Sequence, residues 1–397
     1  MCHEIKSIIL LVALAFCAYC CSPKGDDSVT MVSVGDSKMA LVSLNKLNSN
    51  EAKVPLSSLV ENCELVQLET NDNAFFRLGS TTVTEKYIGI RSSGAPFKLF
   101  SRSGKFIGNI GAIGQGPGEW QITLYDDIID DENELIYLAP FAHDEKIRVY
   151  STSGQYLKDI VAPERLNKPR IFLSDNVLTV VHLPFEGTKS LVYQFDVNTG
   201  ELLNELPPPA HLFMIPTFDH EMFSARNVAG FMDFQFFNIV TNNDTLYHFD
   251  IAKHNILSFY NVAFSASENL WSQHFILNKD LFLTNLRCMT WKGDCTKTGL
   301  VATDLKHKTS SWIEIVNDYY GNLPVTPFGF NQFLNGYFVH NIQPEELLEK
   351  IENHLSERGL SENDRQILNK TLSTLKENTN NVVFIGKLKS EIKTKLW

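Results

Sequence analysis

The sequence predicts an all-β fold, a six-bladed β-propeller with a small two-helix insertion before its last strand. Three observations carry that prediction: a strand hairpin recurring at roughly 50-residue intervals, a polar turn inside each recurrence, and a matching lone strand towards each end of the repeat region. The repeat is clearest in "KLFSRSGKFIGNI" from Lys98 and "RVYSTSGQYLKDI" from Arg148. In each, an aromatic residue (Phe100, Tyr150) precedes a polar turn ending in glycine (Gly104, Gly154), and a second alternating stretch follows. Apolar–polar alternation on both sides of a Ser-Gly turn marks a hairpin, because successive strand side chains point to opposite faces.

Looser copies follow. "VYQFDVNTGELLNEL" has Phe195 and a turn at Asn198-Thr199-Gly200. "TLYHFDIAKHNIL" has Phe249 and a turn near Ala252-Lys253, and "GLVATDLKHKTSSWIEI" has Thr303 and a turn near Lys306-His307. The anchors at 100, 150, 195, 249 and 303 lie 50, 45, 54 and 54 residues apart. Such spacing corresponds to one four-stranded blade per repeat. Five hairpins and the terminal "NVVFIGKLK" (Asn381 to Lys389) give six blades, with "CELVQLET" (Cys63 to Thr70) completing the last. Closure of this kind leaves no open sheet edge. A pair of two-sheet sandwiches competes, but has no reason to repeat at this interval.

The helical insertion occupies 344–378. Pro344 suits a first helical turn, Leu347, Leu348, Ile351 and Leu355 form one stripe, and Gly359 ends the helix. Ser361 then caps a second helix, with Asp364 three residues on and Leu368, Leu372 and Leu375 along one face. The two helices are expected to buttress one rim of the domain at 54–397.

Ahead of that domain, residues 1–20 read as a secretory signal: Lys6, then an uncharged run from Ile8 to Ala18. The run is shorter than the about 20 apolar residues a spanning helix needs. "AYCCS" then resembles the lipobox of bacterial lipoproteins, with Cys21 the lipidated residue; alanine at 18 and cysteine at 20 depart from that pattern, and cleavage before Cys20 competes. "SPKGDDSVT" resembles the acidic export signal of lipoproteins on the outer face of the outer membrane, and Asp27-Ser28-Val29 a short O-glycosylation sequon. Residues 21–53 are accordingly expected to form a flexible polar tether.

The 397 residues carry 46 acidic and 35 basic side chains, a net charge of −11. An acidic surface disfavours the phosphates of nucleic acid, and no basic run overrides it. Of seven cysteines, Cys63, Cys288 and Cys295 remain after the signal and anchor are set aside, too few for a disulfide framework. "CMTWKGDC" spaces its cysteines too widely for a zinc knuckle and reads as a hairpin turning near Lys292-Gly293.

From Val54 to Lys389 the chain resembles the six-bladed β-propeller lipoproteins of Gram-negative gut anaerobes, related in fold to NHL-repeat proteins. The resemblance rests on "VPLSSLVENCELVQLET", "KLFSRSGKFIGNIGAIGQGPGEW", "NNDTLYHFD" and "NVVFIGKLK". It implies the fold and a cell-surface, lipid-anchored location, and leaves the biochemical role open.

The glycine-rich "GNIGAIGQGPGEW" (Gly108 to Trp120) lacks the Lys-Ser or Lys-Thr of a P-loop, and no βαβ unit surrounds it. It reads as a crossover between blades, with glycines for positive φ and Pro117 stiffening the turn. Glu119 and Trp120 are retained as ligand-facing residues of a shared rim.

A propeller site would draw on several blades, so no contiguous motif is expected. "PTFDHEMFSARN" groups Asp219, His220, Glu221 and Arg226; as a site, His220 and Glu221 are metal ligands or acid–base groups, but an exposed polar loop is the favoured reading. Arg91 and Arg170 sit beside strands where a guanidinium would suit carboxylate or sulfate; the commoner alternative is a surface salt bridge. No Ser-His-Asp set, G-x-S-x-G elbow or H-E-x-x-H pair is present. The expectation is a surface-anchored binding protein for a glycan, peptide or envelope partner, set against a propeller lyase or metal-dependent hydrolase. No cofactor is expected, calcium being the single ion left open.

Overall fold

The computed structural model describes residues 28–34, 37–214, 220–228, 231–238, 245–263, 269–289, 295–326 and 332–392. The chain enters with β1 (Val29–Val34), β2 (Ser37–Ser43), β3 (Asn48–Pro55) and β4 (Glu64–Gln67), each of which ends in a sheet containing later segments. Three four-stranded sheets follow in chain order. The first is β5 (Ser80–Val83), β6 (Tyr87–Arg91), β7 (Phe97–Ser101) and β8 (Phe106–Ile110). The second is β9 (Leu124–Asp130), β10 (Leu135–Pro140), β11 (Ala142–Ser151) and β12 (Tyr156–Asn167). The third is β13 (Arg170–Ser174), β14 (Val177–Val181), β15 (Val192–Asp196) and β16 (Leu202–Leu206).

The fourth sheet, β17 (His220–Ala225), β18 (Phe231–Asn238), β19 (Leu246–Asp250) and β20 (Asn255–Ala263), is widened by β2 and β1 beyond β20. The fifth, β21 (Asn269–Ile276), β22 (Leu281–Met289), β23 (Cys295–Asp304) and β24 (Thr309–Asn317), takes β25 (Leu323–Pro324) and β3 on β24. The sixth is β26 (Phe333–Leu334), β27 (Tyr337–Ile342), β28 (Val382–Lys387) and β4. The expected partnership between the two ends of the repeat region is present: Gln67 faces Val382 and Glu64 faces Ile385 in an antiparallel register.

The repeat anchors explain why these segments are strands at these positions. Phe100, Tyr150, Phe195, Phe249 and Thr303 all lie on the third strand of their sheet, and all are buried. In the first three sheets the pairing with the fourth strand shifts by one residue at that anchor. Such a bulge sharpens the local twist. Gly104 and Gly154 supply the left-handed turn, at φ +87° and +91°. In the fourth and fifth repeats His254 and Lys308 adopt positive φ instead, 51° and 57°, which is why those turns lack a glycine signal.

Each sheet shares an apolar core with the next. Phe97, Leu99 and Trp120 meet Ile136 and Leu138 between the first and second sheets. Tyr137 and Val149 meet Ile171 and Tyr193 across the second and third. Phe172 and Val181 meet Met222 and Phe234 across the third and fourth. Tyr260 meets Phe282, and Leu283 meets Phe338, in the two that follow. The sixth sheet packs Val339 and Ile385 on Ile88 and Ile90 of the first.

Helices α1 (Pro344–Ser356) and α2 (Glu362–Thr374) form the expected insertion. Ser361 accepts from the Asp364 amide at 3.1 Å as the N-cap of α2. Leu347, Ile351 and Leu368 bury against Leu323, Val325 and Val382, fastening the pair to the fifth and sixth sheets. No helix among the described residues is long and apolar enough to cross a membrane.

Residues 29–53 differ from the expected tether. β2 runs parallel to β20, pairing Val42 with Val262, and β3 runs parallel to β24, pairing Val54 with Ile315. Ala40, Val42 and Val54 are fully buried. The outer strands of the fourth and fifth sheets offered unpaired backbone edges, which "SKMALVS" and "NSNEAKVP" take up, while "VTMVSV" pairs on the far side of β2. Residues 1–27, which include the signal, Cys20 and Cys21, lie outside the described residues. The hairpin expected near Lys292-Gly293 is formed by β22 and β23, with Met289 facing Cys295, and its tip also lies outside them. Among the described residues, Cys63 and Cys295 are free thiols.

His340, buried on β27 near the ring of Phe384, sets a pH limit on stability. Burial holds its imidazole neutral and brings its pKa down to about 4; Lys350 acts in the same direction and Glu346 against it. In the unfolded chain a histidine protonates near pH ~6.5. Between those values the unfolded state binds more protons, so stability falls as pH drops from 6.5 towards 4. The loss is on the order of 3 kcal/mol. Urea unfolding at pH 7 and pH 4 is expected to show a smaller difference in His340→Gln than in the native protein. Equal differences would contradict this assignment.

Candidate functional site

The first strand of every sheet contributes to one cavity of about 440 Å³. Ser80, Thr81 and Thr82 enter from β5, Asp126 from β9, Arg170 from β13, Phe223 and Ser224 from β17, Trp271 and Gln273 from β21, and Leu334 from β26. Arg91 at the end of β6, Arg226 just past β17 and Asn335 just past β26 complete the lining. Residues two apart on a strand share a face, which places Ser80 with Thr82 and Trp271 with Gln273 on the cavity side.

Three arginines meet here, and their roles differ. Arg170 is fully engaged: Nε and Nη2 donate to the Met222 carbonyl at 2.8 and 2.6 Å, and Nη1 donates to the Tyr125 carbonyl at 3.0 Å. It also stands over the Tyr125 ring at 4.3 Å. Arg170 thereby ties β9 to β13 and β17. Arg91 donates from Nε to Asp127 Oδ1 at 3.0 Å and from Nη1 to the Tyr125 carbonyl. Arg226 uses only Nη2, towards Asp126 Oδ2 at 3.2 Å and the Asp127 carbonyl at 3.3 Å, and lies over the Phe172 ring at 4.7 Å. Nη2 of Arg91 and Nε and Nη1 of Arg226 have no hydrogen bond among the described residues.

Asp126 is the hub of the network. Its carboxylate accepts the Ile171 amide at 2.9 Å and faces Arg170 at 3.5 Å as well as Arg226. Three guanidinium charges against the carboxylates of Asp126 and Asp127 leave an excess of one positive charge, in a protein whose net charge is −11. Burial lowers the pKa of Arg226; Asp126 and Asp127 offset this in part, while Arg170 and Arg91 reinforce it. For Arg170, burial is outweighed by Tyr125, Asp126 and Glu221, and its pKa is raised. Arg226 is therefore the less neutralised cation of the two, and an added anion would relieve it.

Below the arginines, Tyr125 donates its hydroxyl to Glu221 Oε2 at 2.6 Å and receives the Met222 amide at 2.9 Å. Glu221 also meets Lys168 Nζ at 2.5 Å. Burial raises the Tyr125 pKa, keeping the phenol protonated. This group has donors and acceptors matched and holds β9, β13 and β17 in place.

The sequence-predicted site residues thus divide. Arg91, Arg170 and Arg226 converge on the cavity in partly or wholly buried pairings, in contrast to the surface salt bridge that was the alternative for Arg91 and Arg170 and the exposed loop that was the alternative for Arg226. His220 does not join them: it begins a strand, is buried, and packs edge-on against Phe185 at 5.8 Å. The exposed polar loop expected around it is a strand from His220 onward, because alternate residues face the core shared with the third sheet; Asp219 lies outside the described residues.

Glu119 and Trp120 also lie away from the cavity. Trp120 is 1% exposed in the core between the first two sheets. Glu119 turns back to accept the Gly116 amide at 2.7 Å, so the loop's own carboxylate occupies a donor that an anionic ligand would need. The stretch runs from β8 to β9, the crossover expected of it. Among the described residues, no three His, Cys, Asp or Glu side chains are grouped as a metal site.

Asp126, Trp271, Phe223, Ser224 and Gln273 are cavity residues that sequence reasoning missed. One signal was present: "LYDDIID" sets two acids inside an apolar strand, a position where carboxylates are retained only with partners. The others lie in segments whose first strands carried no repeat signature.

The profile of a family described as "Domain of unknown function (DUF4934)" matches residues 40–387. Among solved structures, the chain is similar to a member of the duf4221 family from Bacteroides vulgatus atcc 8482, at 12% identity and a TM-score of 0.44, over 84% of this chain and 98% of that one. It is also similar to the computationally designed Ika4 protein, at 14% identity and a TM-score of 0.29, over 44% of this chain and 97% of that one. No curated protein matches the sequence.

Proposed function

The chain belongs to the DUF4934 family, and from its cation-lined cavity we propose that it is a non-enzymatic binding protein: a six-bladed propeller, lipid-anchored at the outer membrane through Cys21, that takes a ligand where its blades converge. The observation carrying this reading is the contribution of all six sheets to one cavity that keeps unused guanidinium donors. The propeller arrangement is supported by the apolar cores joining every consecutive pair of sheets, the sixth with the first included, and by the pairing of β4 with β28. A concave site with a few convergent polar groups, within the about 300–1,000 Å³ typical of ligand pockets, is the usual setting for small-molecule binding.

The binding reading is tested with the full chain in detergent, incubated with mixed envelope oligosaccharides and peptides. Mass spectrometry then follows both the retained and the free material. The expected result is a retained ligand of unchanged mass, lost when Ser224→Trp fills the cavity. New product masses, or retention indifferent to Ser224→Trp, would overturn the reading.

The anchor rests on the N-terminal sequence pattern. Each buried acyl methylene contributes about 0.8 kcal/mol to membrane attachment. Cys21→Ala is expected to move the protein from the membrane fraction to the soluble one. Persistence in membranes after Cys20 and Cys21 are both replaced would contradict the anchor.

A further inference from the structure

We propose that the ligand of the central cavity is an anionic sugar, whose carboxylate or sulfate sits at the free donors of Arg226 and Arg91 while its ring lies against Trp271. The proposal rests on the binding reading above and names the chemical class of its ligand.

Two kinds of surface meet in the cavity. The anion-recognising part is Arg226 Nε and Nη1 with Arg91 Nη2, three nitrogens that no described residue uses. On Arg226 these two nitrogens flank the Nη2 already held by Asp126 and Asp127, so each meets a single oxygen of a carboxylate or sulfate, and such charge-assisted bonds are stronger than neutral ones. Asp126 and Asp127 do not cancel the three arginines, so the site retains a positive charge for an anion. A bare ion would leave most of the 440 Å³ unused.

The remainder has the chemistry of a saccharide site. Phe223 and Trp271 meet edge-to-face at 5.5 Å and give the cavity an aromatic wall. The electron-rich face of an indole attracts the weakly positive C–H face of a sugar ring. Ser80, Thr82, Ser224 and Gln273 line the same space with short donors and acceptors suited to hydroxyl groups. One anion, one apolar face and a rim of hydroxyl partners describe an acidic pyranose more closely than a peptide, whose backbone amides would need paired donors and acceptors in a line.

Isothermal titration of the full chain in detergent, with glucuronate, glucose 6-sulfate, glucose, acetate and a Glu-Glu dipeptide, tests the proposal. Glucuronate or glucose 6-sulfate is expected to bind at least about tenfold more tightly than glucose or acetate; which of the two binds better identifies the anion. Arg226→Gln should weaken that sugar about 10- to 100-fold. Trp271→Ala should weaken the sugar and leave acetate unchanged. If Arg226→Gln unfolds early, Arg226→Lys keeps a cation beside Asp126 but loses the Nε and Nη1 donors, and the same weakening is expected. Glucose binding as tightly as the acidic sugars, the dipeptide binding more tightly, or no binding by any of the five would overturn the proposal. The cavity reading would survive each of these results if the oligosaccharide and peptide mixture still yielded a ligand sensitive to Ser224→Trp.

Discussion

Asp126→Ala is expected to lower the unfolding free energy by about 3–5 kcal/mol, because removing one partner of a buried charge network leaves the others uncompensated. The loss has three identifiable parts. Arg170 and Arg226 each lose a carboxylate neighbour, and the Ile171 amide loses its acceptor. Asp126→Asn should cost less, since an amide oxygen can still accept from Ile171. In a double-mutant cycle, Arg226→Ala added to Asp126→Ala should cost less than the sum of the two single changes, as expected for groups in contact. Strict additivity in urea unfolding would show that Asp126 does not couple to Arg226.

Trp120→Ala should be comparably damaging, at about 3–5 kcal/mol for a large aromatic removed from a packed core. Its indole fills the space between the first and second sheets with Phe97, Leu99, Ile136 and Leu138. Gly111, at φ +66°, lies so close that a Cβ there would be 2.3 Å from the ring. The crossover is held around it: Arg148 Nε donates to the Glu119 carbonyl at 3.0 Å, and the Tyr150 hydroxyl donates to the Gly118 carbonyl. Denaturant unfolding checks the magnitude, and ATP or NAD should raise the melting temperature of neither form. A Trp120→Ala protein of native stability, or one that loses a nucleotide-induced shift present in the native form, would contradict the structural role.

These two residues mark how far the sequence was legible. Trp120 was read as part of a crossover because the missing lysine and missing helix excluded a phosphate loop, but its burial could not be seen. A tryptophan after a glycine run is compatible with either a rim or a core; the choice depends on Tyr150 and Phe97, distant in sequence. The third and fourth strands of the first five sheets are legible because a buried anchor, a turn and alternation fall within one short window. The first strands were not, since they are spaced from the anchors by variable turns and their cavity-side residues need not be apolar.

The same logic explains the arginines and the N-terminal segment. The sequence marks Arg91 and Arg170 as cations beside strands and Arg226 as a cation in a polar stretch, and all three line the cavity. Their division into one structural clamp and two partly unused donors depends on Tyr125, Met222 and Asp126, whose positions are set by pairing between sheets. Residues 29–53 were misread because the polar composition ahead of them was carried forward. A segment such as "SKMALVS" settles as a strand only if an edge is available to receive it, and that edge, β20, is supplied more than 200 residues later.

A crystal structure grown with saturating glucuronate tests whether the cavity shared by the six sheets holds an anionic sugar. The expected result is density in the cavity, with the carboxylate within hydrogen-bonding distance of Arg226 Nε or Nη1 and the sugar ring against Trp271. Glucuronate bound elsewhere on the protein, or a cavity empty at that concentration, would contradict it.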